Sequence, residues 1–178
     1  MEFSELIKSR RSIRKYKPDA SVSRDDIEEI IRSAQLAPSW KNSQTGRYYA
    51  VISPEKIAEV RECLPEFNRN NSENAPALIV TAFERARSGF ERDGKPSNEL
   101  GDKWGAYDLG LQNENLILKA RDMGYDTLIM GIRDGERLRR ILDIPEGQDI
   151  VSVISVGIRA IDPDAPQRKP IDEVVKFF

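Results

Sequence analysis

The segment ALIVTAF, residues 77–83, decides the fold class, because it is a nearly unbroken apolar run that directly follows Pro76. A strand that is apolar on both faces must be covered on both faces. The segment therefore predicts a central strand in a sheet that has other elements packed on each side. Apolar runs at 127–132 and 149–158 predict two more core strands, and the β-branched and aromatic run at 47–53 predicts a fourth.

Helical patterns alternate with these strands. The helices are predicted at residues 3–9, 23–37, 54–64, 104–123 and 135–142. In the second helix, Ser23 and Asp26 occupy the positions of a capping box, and Pro38 ends the helix. In the fourth and longest helix, one stripe is expected to face the core. That stripe comprises Ala106, Leu109, Gly110, Asn113, Leu116, Ile117 and Ala120.

The order of these elements favours an α+β fold with a sheet surrounded by helices. A doubly wound parallel sheet is the alternative, but two helices precede the first strand and no glycine-rich turn follows any strand. The 178 residues suit a single domain, 1–178, because no repeat or linker divides them. Residues 84–103 form a long polar excursion, which predicts a lid or a disordered segment, and residues 162–178 form a tail.

The composition excludes several kinds of chemistry. The chain has no histidine and a single cysteine, Cys63. Ser-His-Asp and Cys-His mechanisms, histidine-ligated zinc and disulfide frameworks are therefore unavailable, and we expect no metal site. Any difficult chemistry should belong to a bound group or to carboxylates. We expect a reducing cytoplasm and no membrane span, since no apolar run approaches the ~18 residues that cross a bilayer.

A basic cluster lies near the start of the chain. The segment KSRRSIRKYK, residues 8–17, holds six bases, although the chain has 28 Lys+Arg against 30 Asp+Glu. A solvated face, a nucleic-acid patch and an anion site are the three interpretations, and the acidity of the whole chain disfavours the second.

The anion-site interpretation rests on the donors within this cluster. Three guanidinium groups surround one hydroxyl, a set suited to a phosphate. These donors are Arg10, Arg11, Arg14 and Ser12. A phosphate monoester carries up to two charges, so further cations are expected, and Arg168 and Lys169 in the tail could supply them.

Three other segments could contribute polar groups. The loop APSWKNSQ at 37–44 indicates either an Asx-type turn or amides that hydrogen-bond a flat heterocycle. In YDLGLQNENL at 107–116, Gln112 and Asn113 lie in a buried helix and need partners from the backbone or a second subunit. In LIMGIRD at 128–134, a glycine follows a strand, so the backbone there either ends the strand or closely approaches a ligand.

Together and in this order, these segments resemble the FMN-dependent nitroreductase family. The resemblance covers about residues 3–175. The matching elements are RRSIRKY at 10–16, APS-x-x-N-x-Q at 37–44, the helix around 108–114, Met130–Gly131 and R-K-P-x-D-E-V at 168–174. Trp40 and Lys41 depart from the small residues that are common at their positions, and Thr45 replaces a frequent proline.

The resemblance implies an α+β, nitroreductase-like fold with a central, mostly antiparallel mixed sheet flanked by helices. It also implies an intertwined homodimer with FMN at the interface and much of the contact made by the long helix. Small molecules would be the partners, without nucleic acid or membrane.

The resemblance also assigns site residues. Arg10 would contact the FMN phosphate and Arg14 the pyrimidine end of the ring. The FMN-binding set implied by the motifs is Arg10, Arg11, Ser12, Arg14, Pro38, Ser39, Asn42, Gln44, Met130, Gly131, Arg168 and Lys169. Some residues of the 37–44 loop would come from the other subunit. The substrate pocket would include Trp40, Phe90 and Trp104, with residues 84–103 as its lid.

The activity implied is that of an FMN-dependent NAD(P)H oxidoreductase that reduces nitroaromatics, quinones or a similar electron-poor acceptor. Because the flavin would carry the redox step, no catalytic side chain is expected. An NAD(P)H:flavin reductase and a flavin-binding module without turnover are alternatives, and an RNA-binding protein is a further one. No dinucleotide fingerprint distinguishes NADH from NADPH.

Overall fold

The computed structural model describes all 178 residues. The helices are α1 Phe3–Ser9, α2 Arg24–Gln35, α3 Pro54–Arg61, α4 Glu66–Asn71, α5 Lys103–Asp122 and α6 Gly135–Ile141. The strands are β1 Gly46–Val51, β2 Ala77–Glu84, β3 Asp126–Met130 and β4 Gln148–Gly157. Short 3₁₀ turns occupy Trp40–Asn42 and Ile171–Glu173. None of the helices is both long and apolar enough to cross a membrane.

The four strands form one sheet in the order β1-β2-β4-β3, and every neighbouring pair is antiparallel. The segment that predicted a central strand is β2, and residues 77–83 are all buried. The predicted α+β class is therefore confirmed, and the doubly wound parallel alternative is wrong. One parallel contact remains, an isolated bridge between Ser12 and Thr127 of β3.

Helices cover both faces of the sheet because the side chains of β2 alternate between them. Leu78 and Val80 point into one apolar cluster, which α3 and α6 help to close. Ala77 and Ile79 point into a second cluster, formed with α2 and α5. The capping box predicted for α2 is present, since Ser23 Oγ accepts the N–H of Asp26 at 3.0 Å and the Asp26 carboxylate accepts the N–H of Ser23 at 3.2 Å.

The predicted stripe on α5 was wrong in its first half. Ala106 and Gly110 are exposed, whereas Gly105, Asp108 and Gln112 are buried. The helix is rotated because Gly105 packs directly against the Phe83 ring, where an added Cβ would lie 2.3 Å from Phe83 Cδ2. Two polar side chains are thereby brought into the interior.

The strand predicted at residues 127–132 was also too long. β3 ends at Met130, and Gly131 and Ile132 lie beyond it and are exposed. Residues 65–76 contain the short helix α4. These differences matter for the site, because the end of β3 is one of its predicted parts.

Candidate functional site

The basic segment at 10–16 lies along the outer edge of β3. Ser12 forms its bridge to Thr127, and the N–H of Ile13 donates to the Thr127 carbonyl at 3.0 Å. The side chains of Ile13 and Tyr16 are buried, and the Tyr16 hydroxyl lies 2.8 Å from Ser155 Oγ. These anchors fix the backbone of the segment, so that its polar side chains are presented from a rigid edge.

The donors of this segment differ in availability. The guanidinium of Arg10 and the hydroxyl of Ser12 make no hydrogen bond or ion pair, and Arg14 makes only one long contact, from Nη1 to the Ser12 carbonyl at 3.3 Å. Arg11, by contrast, donates Nη1 to the carbonyls of Lys8 at 2.6 Å and Arg10 at 2.8 Å. Arg11 is thus directed at its own backbone. The side chains of Arg10 and Ser12 are unpaired, and that of Arg14 is nearly so.

The tail holds the two further cations predicted for the phosphate site. Arg168 and Lys169 are exposed, and Lys169 makes only a 3.7 Å ion pair with Glu173. The chain therefore does not bring them into contact with Arg10. Several apolar side chains of the tail are also exposed, among them Phe177 and Phe178.

The loop at 38–44 has an unusual backbone. Lys41, Asn42 and Gln44 have φ values of 46°, 55° and 50°, in the left-handed region that non-glycine residues rarely adopt. Ser39 Oγ accepts the Gln44 N–H at 3.1 Å, which closes the turn. Pro38, Asn42 and Gln44 are exposed, and the two side-chain amides make no hydrogen bond. Their polar groups are therefore available to a ligand.

The excursion at 84–103 folds against this loop. Lys41 Nζ lies 2.9 Å from the Glu91 carboxylate, and the rings of Trp40 and Trp104 have centroids 4.7 Å apart. The pKa of Glu91 is lowered, chiefly by its hydrogen bond from Lys41. Phe90, half-buried, bridges to Pro96 in the same segment. The three aromatic residues predicted for a substrate pocket are thus in one region, with the Trp40 ring packed at a tilt against that of Trp104.

A polar cavity of about 400 Å³ lies beside the loop. Ser43, Gln44, Tyr48 and Gln112 are among the residues that line it. The Tyr48 hydroxyl donates to Gln112 Oε1 at 2.8 Å, and burial raises the pKa of Tyr48. Gln112, which lacked a known partner at the level of sequence, finds one within its own chain.

The end of β3 is held by neighbouring elements. Met130 is buried, whereas Gly131 is exposed and an added Cβ there would meet no atom within 4 Å. Asn68 Nδ2 donates to the Ile132 carbonyl at 3.1 Å, and Arg133 Nη1 donates to the Gly131 carbonyl at 3.2 Å. The backbone after β3 is therefore fixed and open to one side.

The basic segment and the amide loop lie at diagonally opposite corners of the sheet. β1 and β3 are the two edge strands, three spacings or about 14 Å apart. Gly46 pairs with Phe83 and Phe83 with Asp149 at the start of β4, whereas Thr127 pairs with Val156 near its end. The corners are thus also roughly 20 Å apart along the strands. One chain does not bring the two sets of residues together.

A model of the nitroreductase family matches residues 7–158 of the chain. The chain belongs to the nitroreductase family. The family named by the sequence motifs is therefore confirmed.

Individual relatives extend this match over nearly the whole chain. A protein of Archaeoglobus fulgidus with the provisional name NADH dehydrogenase/NAD(P)H nitroreductase is 32% identical over 88% of this chain and 84% of its own. The Bacillus subtilis protein YdgI, provisionally named an NAD(P)H nitroreductase, is 27% identical over 99% of this chain and 97% of its own.

Solved structures confirm the nitroreductase fold. A nitroreductase-family protein of Streptococcus pneumoniae superimposes with a TM-score of 0.85 and 25% identity, over 99% of this chain and 100% of its own. A protein of Exiguobacterium sibiricum provisionally named a nitroreductase, solved in complex with FMN, gives a TM-score of 0.89 at 24% identity over 100% and 98% of the two chains.

Three residues that organise the candidate site were given no role by sequence reasoning. Asp108 accepts hydrogen bonds from the loop and the excursion, Ser88 donates one of them, and Asn68 fixes the backbone after β3. A signal for Asp108 existed, since it lies three residues after Gly105 and four before Gln112 on the buried face of α5. Nothing in the sequence pointed to Asn68, which lies in a polar, asparagine-rich stretch.

Proposed function

We propose that this protein is an FMN-dependent NAD(P)H oxidoreductase that reduces nitroaromatics, quinones or a similar electron-poor acceptor. The observation that carries the proposal is the row of unpaired donors on the edge of β3, in a chain of the nitroreductase family. The names of its relatives support the electron donor and the class of reaction.

The donors fit the phosphate of FMN. Guanidinium groups and a hydroxyl give charge-assisted and neutral hydrogen bonds to phosphate oxygens. In this proposal Arg10 and Ser12 hold the phosphate, Arg14 faces the pyrimidine end of the ring, and Arg11 shapes the turn that presents them. We propose that Arg168 and Lys169, which are exposed, complete the phosphate site once FMN is bound.

The remaining polar groups fit the ring of the flavin. The side chains of Asn42 and Gln44 have no partner in the chain, and Pro38 and Ser39 set the loop from which they project. The open backbone at Gly131, next to Met130, allows a planar ring to approach without meeting a side chain. We propose that these groups orient the ring.

Two copies of the chain are needed for this site. The amide loop and the basic segment are too far apart within one chain for a single FMN to touch both, so a homodimer would supply one set from each subunit. The exposed Tyr107 and Gly110 of α5 and the apolar tail residues Phe177 and Phe178 are the surfaces proposed for that contact.

The chemistry suits a chain without histidine. When bound, FMN supplies the group that accepts hydride from the nicotinamide and passes electrons to the acceptor. The chain's own residues bind and orient it.

We propose that residues 84–103 act as the lid over the substrate pocket, with Trp40, Phe90 and Trp104 in its wall, within one domain spanning 1–178. A cytoplasmic location is also part of the proposal, on the ground of the single, buried Cys63.

An anaerobic titration tests the proposal. Purified protein, reconstituted with FMN, is expected to be yellow, to bleach on addition of NADH or NADPH and to regain its colour with a quinone or a nitroarene. A preparation that takes up no FMN contradicts the proposal. Bound flavin that no nicotinamide bleaches indicates a binding module without turnover, and a response to free FMN alone indicates a flavin reductase.

A further inference from the structure

Asp108 is a buried carboxylate without a counter-ion. Its residue is 2% exposed, and it takes part in none of the ion pairs of the chain. Its Oδ2 accepts the backbone N–H of Trp40 at 2.9 Å and the hydroxyl of Ser88 at 2.6 Å. A buried charge that is compensated only by hydrogen bonds is costly, so both donors are strongly required.

The two donors come from different parts of the chain. Trp40 lies in the loop at 38–44, and Ser88 lies in the excursion at 84–103. One oxygen atom of α5 therefore joins these two segments at a single point. The Lys41–Glu91 ion pair joins the same two segments nearer the surface, and the Trp40 ring packs at a tilt against the Trp104 ring of α5, with centroids 4.7 Å apart.

The loop needs such external support because its backbone is strained. Three of its residues, Lys41, Asn42 and Gln44, have positive φ values. Conformations of this kind persist only where the surrounding structure holds them. Within the loop, Ser39 Oγ supports the Gln44 N–H, but the hydrogen bond between Trp40 and Asp108 is the contact that fixes the start of the turn to a regular element.

We propose that Asp108 is a positioning residue for the flavin site, tying the amide loop to the 84–103 segment so that the two move as one unit. The inference rests on the proposed function, in which Asn42 and Gln44 orient the ring. Changes in the excursion, at residues that touch no flavin, then alter how the ring is held.

Three variants test this role. Asp108→Ala removes both hydrogen bonds, Asp108→Asn keeps an acceptor oxygen, and Ser88→Ala cuts only the link to the excursion. Asp102→Ala is the matched control, because Asp102, the residue immediately before α5, accepts the N–H of Ala86 in the excursion but makes no hydrogen bond or ion pair with the loop.

The flavin readouts are FMN affinity and reduction potential, measured at equal folded fraction. We expect Asp108→Ala to raise the FMN dissociation constant about tenfold or more, Asp108→Asn to restore most of the affinity, and Ser88→Ala to give about a threefold rise. The potential should fall in Asp108→Ala, because a loosened loop withdraws donors from the charge that the ring gains on reduction. Asp102→Ala should stay within about twofold of the wild type.

A readout without flavin separates this inference from the proposed function. Trp40 and Trp104 are the two tryptophans of the chain, so their coupled circular dichroism reports how the loop docks on α5, where the Trp40 N–H meets Asp108. In flavin-free protein, Asp108→Ala should lose this signal and become cleavable by trypsin after Lys41, whereas Asp102→Ala should not. Ser88→Ala leaves the Trp40–Asp108 hydrogen bond in place, so it should keep the signal and become cleavable only within the excursion.

Each outcome decides one of the two proposals. Retention of the tryptophan signal in Asp108→Ala overturns the positioning role, as does its loss with unchanged FMN affinity and potential. If the wild-type protein takes up no FMN, the proposed function fails and the flavin role of Asp108 fails with it, even where the tryptophan signal shows that the loop is docked on α5.

Discussion

At the scale of single residues, Arg10 and Arg11 show why neighbouring cations in one motif are not equivalent. The Arg11 guanidinium donates to two carbonyls of its own segment, and its buried Nε has no partner. The Arg10 side chain makes no hydrogen bond or ion pair. A guanidinium without a partner in the chain is a candidate ligand contact, whereas one bonded to nearby carbonyls stabilises the turn. The sequence Arg10-Arg11 alone does not show which residue is which.

We predict that Arg10→Ala weakens FMN binding by roughly tenfold to a hundredfold, because a hydrogen bond to a charged group contributes about 1.5–3 kcal/mol. Fluorescence titration of the flavin-free protein with FMN measures this. Lys15→Ala, which removes an exposed cation from the same segment, is the control and should bind FMN like the wild type. Equal affinities in the two variants would remove Arg10 from the site.

Among the acidic residues, Asp126 has a structural role, because its partners are arginines of the same chain. Its side chain is 2% exposed and accepts hydrogen bonds from Arg159, at 2.7 Å from Nη2 and 2.9 Å from Nε, with Arg121 Nη1 at 3.4 Å. These bonds raise the pKa of Arg159. The pair joins the start of β3 to the end of β4, next to the basic segment.

Because Asp126→Ala would leave two arginines partly buried without their carboxylate, we expect it to lower the free energy of unfolding by about 3–5 kcal/mol. Urea denaturation followed by circular dichroism measures the loss. Asp162→Ala removes an exposed partner of Arg159 and should cost less than about 1 kcal/mol. Similar values for the two variants would contradict this account.

At the scale of elements, α2 is the case in which local sequence was sufficient. Ser23, Asp26 and Pro38 predicted its ends, and the capping box formed as expected. The pKa of Asp26 lies below its ordinary value of 3.8, because of its hydrogen bonds from Ser23 and then from the Tyr125 hydroxyl. Tyr125, 99 residues away, was not foreseeable from the helix itself.

This lowered pKa gives a pH dependence. The folded chain binds the Asp26 proton more weakly than the unfolded chain does, so the stabilisation is present above about pH 4 and is lost as the pH falls through the folded pKa. We expect Asp26→Asn to be less stable than Asp25→Asn at pH 7, with the difference shrinking towards pH 3. Urea midpoints at both pH values measure this, and a difference that grows on acidification would refute it.

For α5, the local sequence predicted the length of the helix but not its buried face. Its length was nearly right, but the buried face began at Gly105 rather than Ala106 because the Phe83 ring of β2 occupies the space beside it. Apolar spacing alone could not reveal that a carboxylate and an amide belong to that face. Both are buried because their partners arrive from the loop, β1 and the excursion.

At the scale of the whole molecule, the positions of the two edge strands matter most. The basic segment borders β3 and the amide loop precedes β1, so the polar groups proposed for one flavin lie at opposite corners. This geometry leads to the proposal that the site is assembled between two subunits.

We predict that the FMN-loaded protein sediments as a dimer at micromolar concentration. Gly110→Arg should shift it towards monomer and release FMN, since Gly110 is exposed and has free space within the chain. Its circular dichroism spectrum should stay unchanged. Glu73→Arg, at an exposed position outside α5, is the control. A wild-type monomer that retains FMN would rule out the two-subunit site.

The sequence by itself determined the family, the main helices and strands, and the residues that are candidates for binding FMN. These follow from hydrophobic period, capping and motif, which are properties of neighbouring residues. Tertiary structure alone decided that the sheet runs β1-β2-β4-β3, that Asp108 joins two segments and that the two halves of the site are far apart. These depend on contacts between residues distant in the chain, which local patterns do not encode.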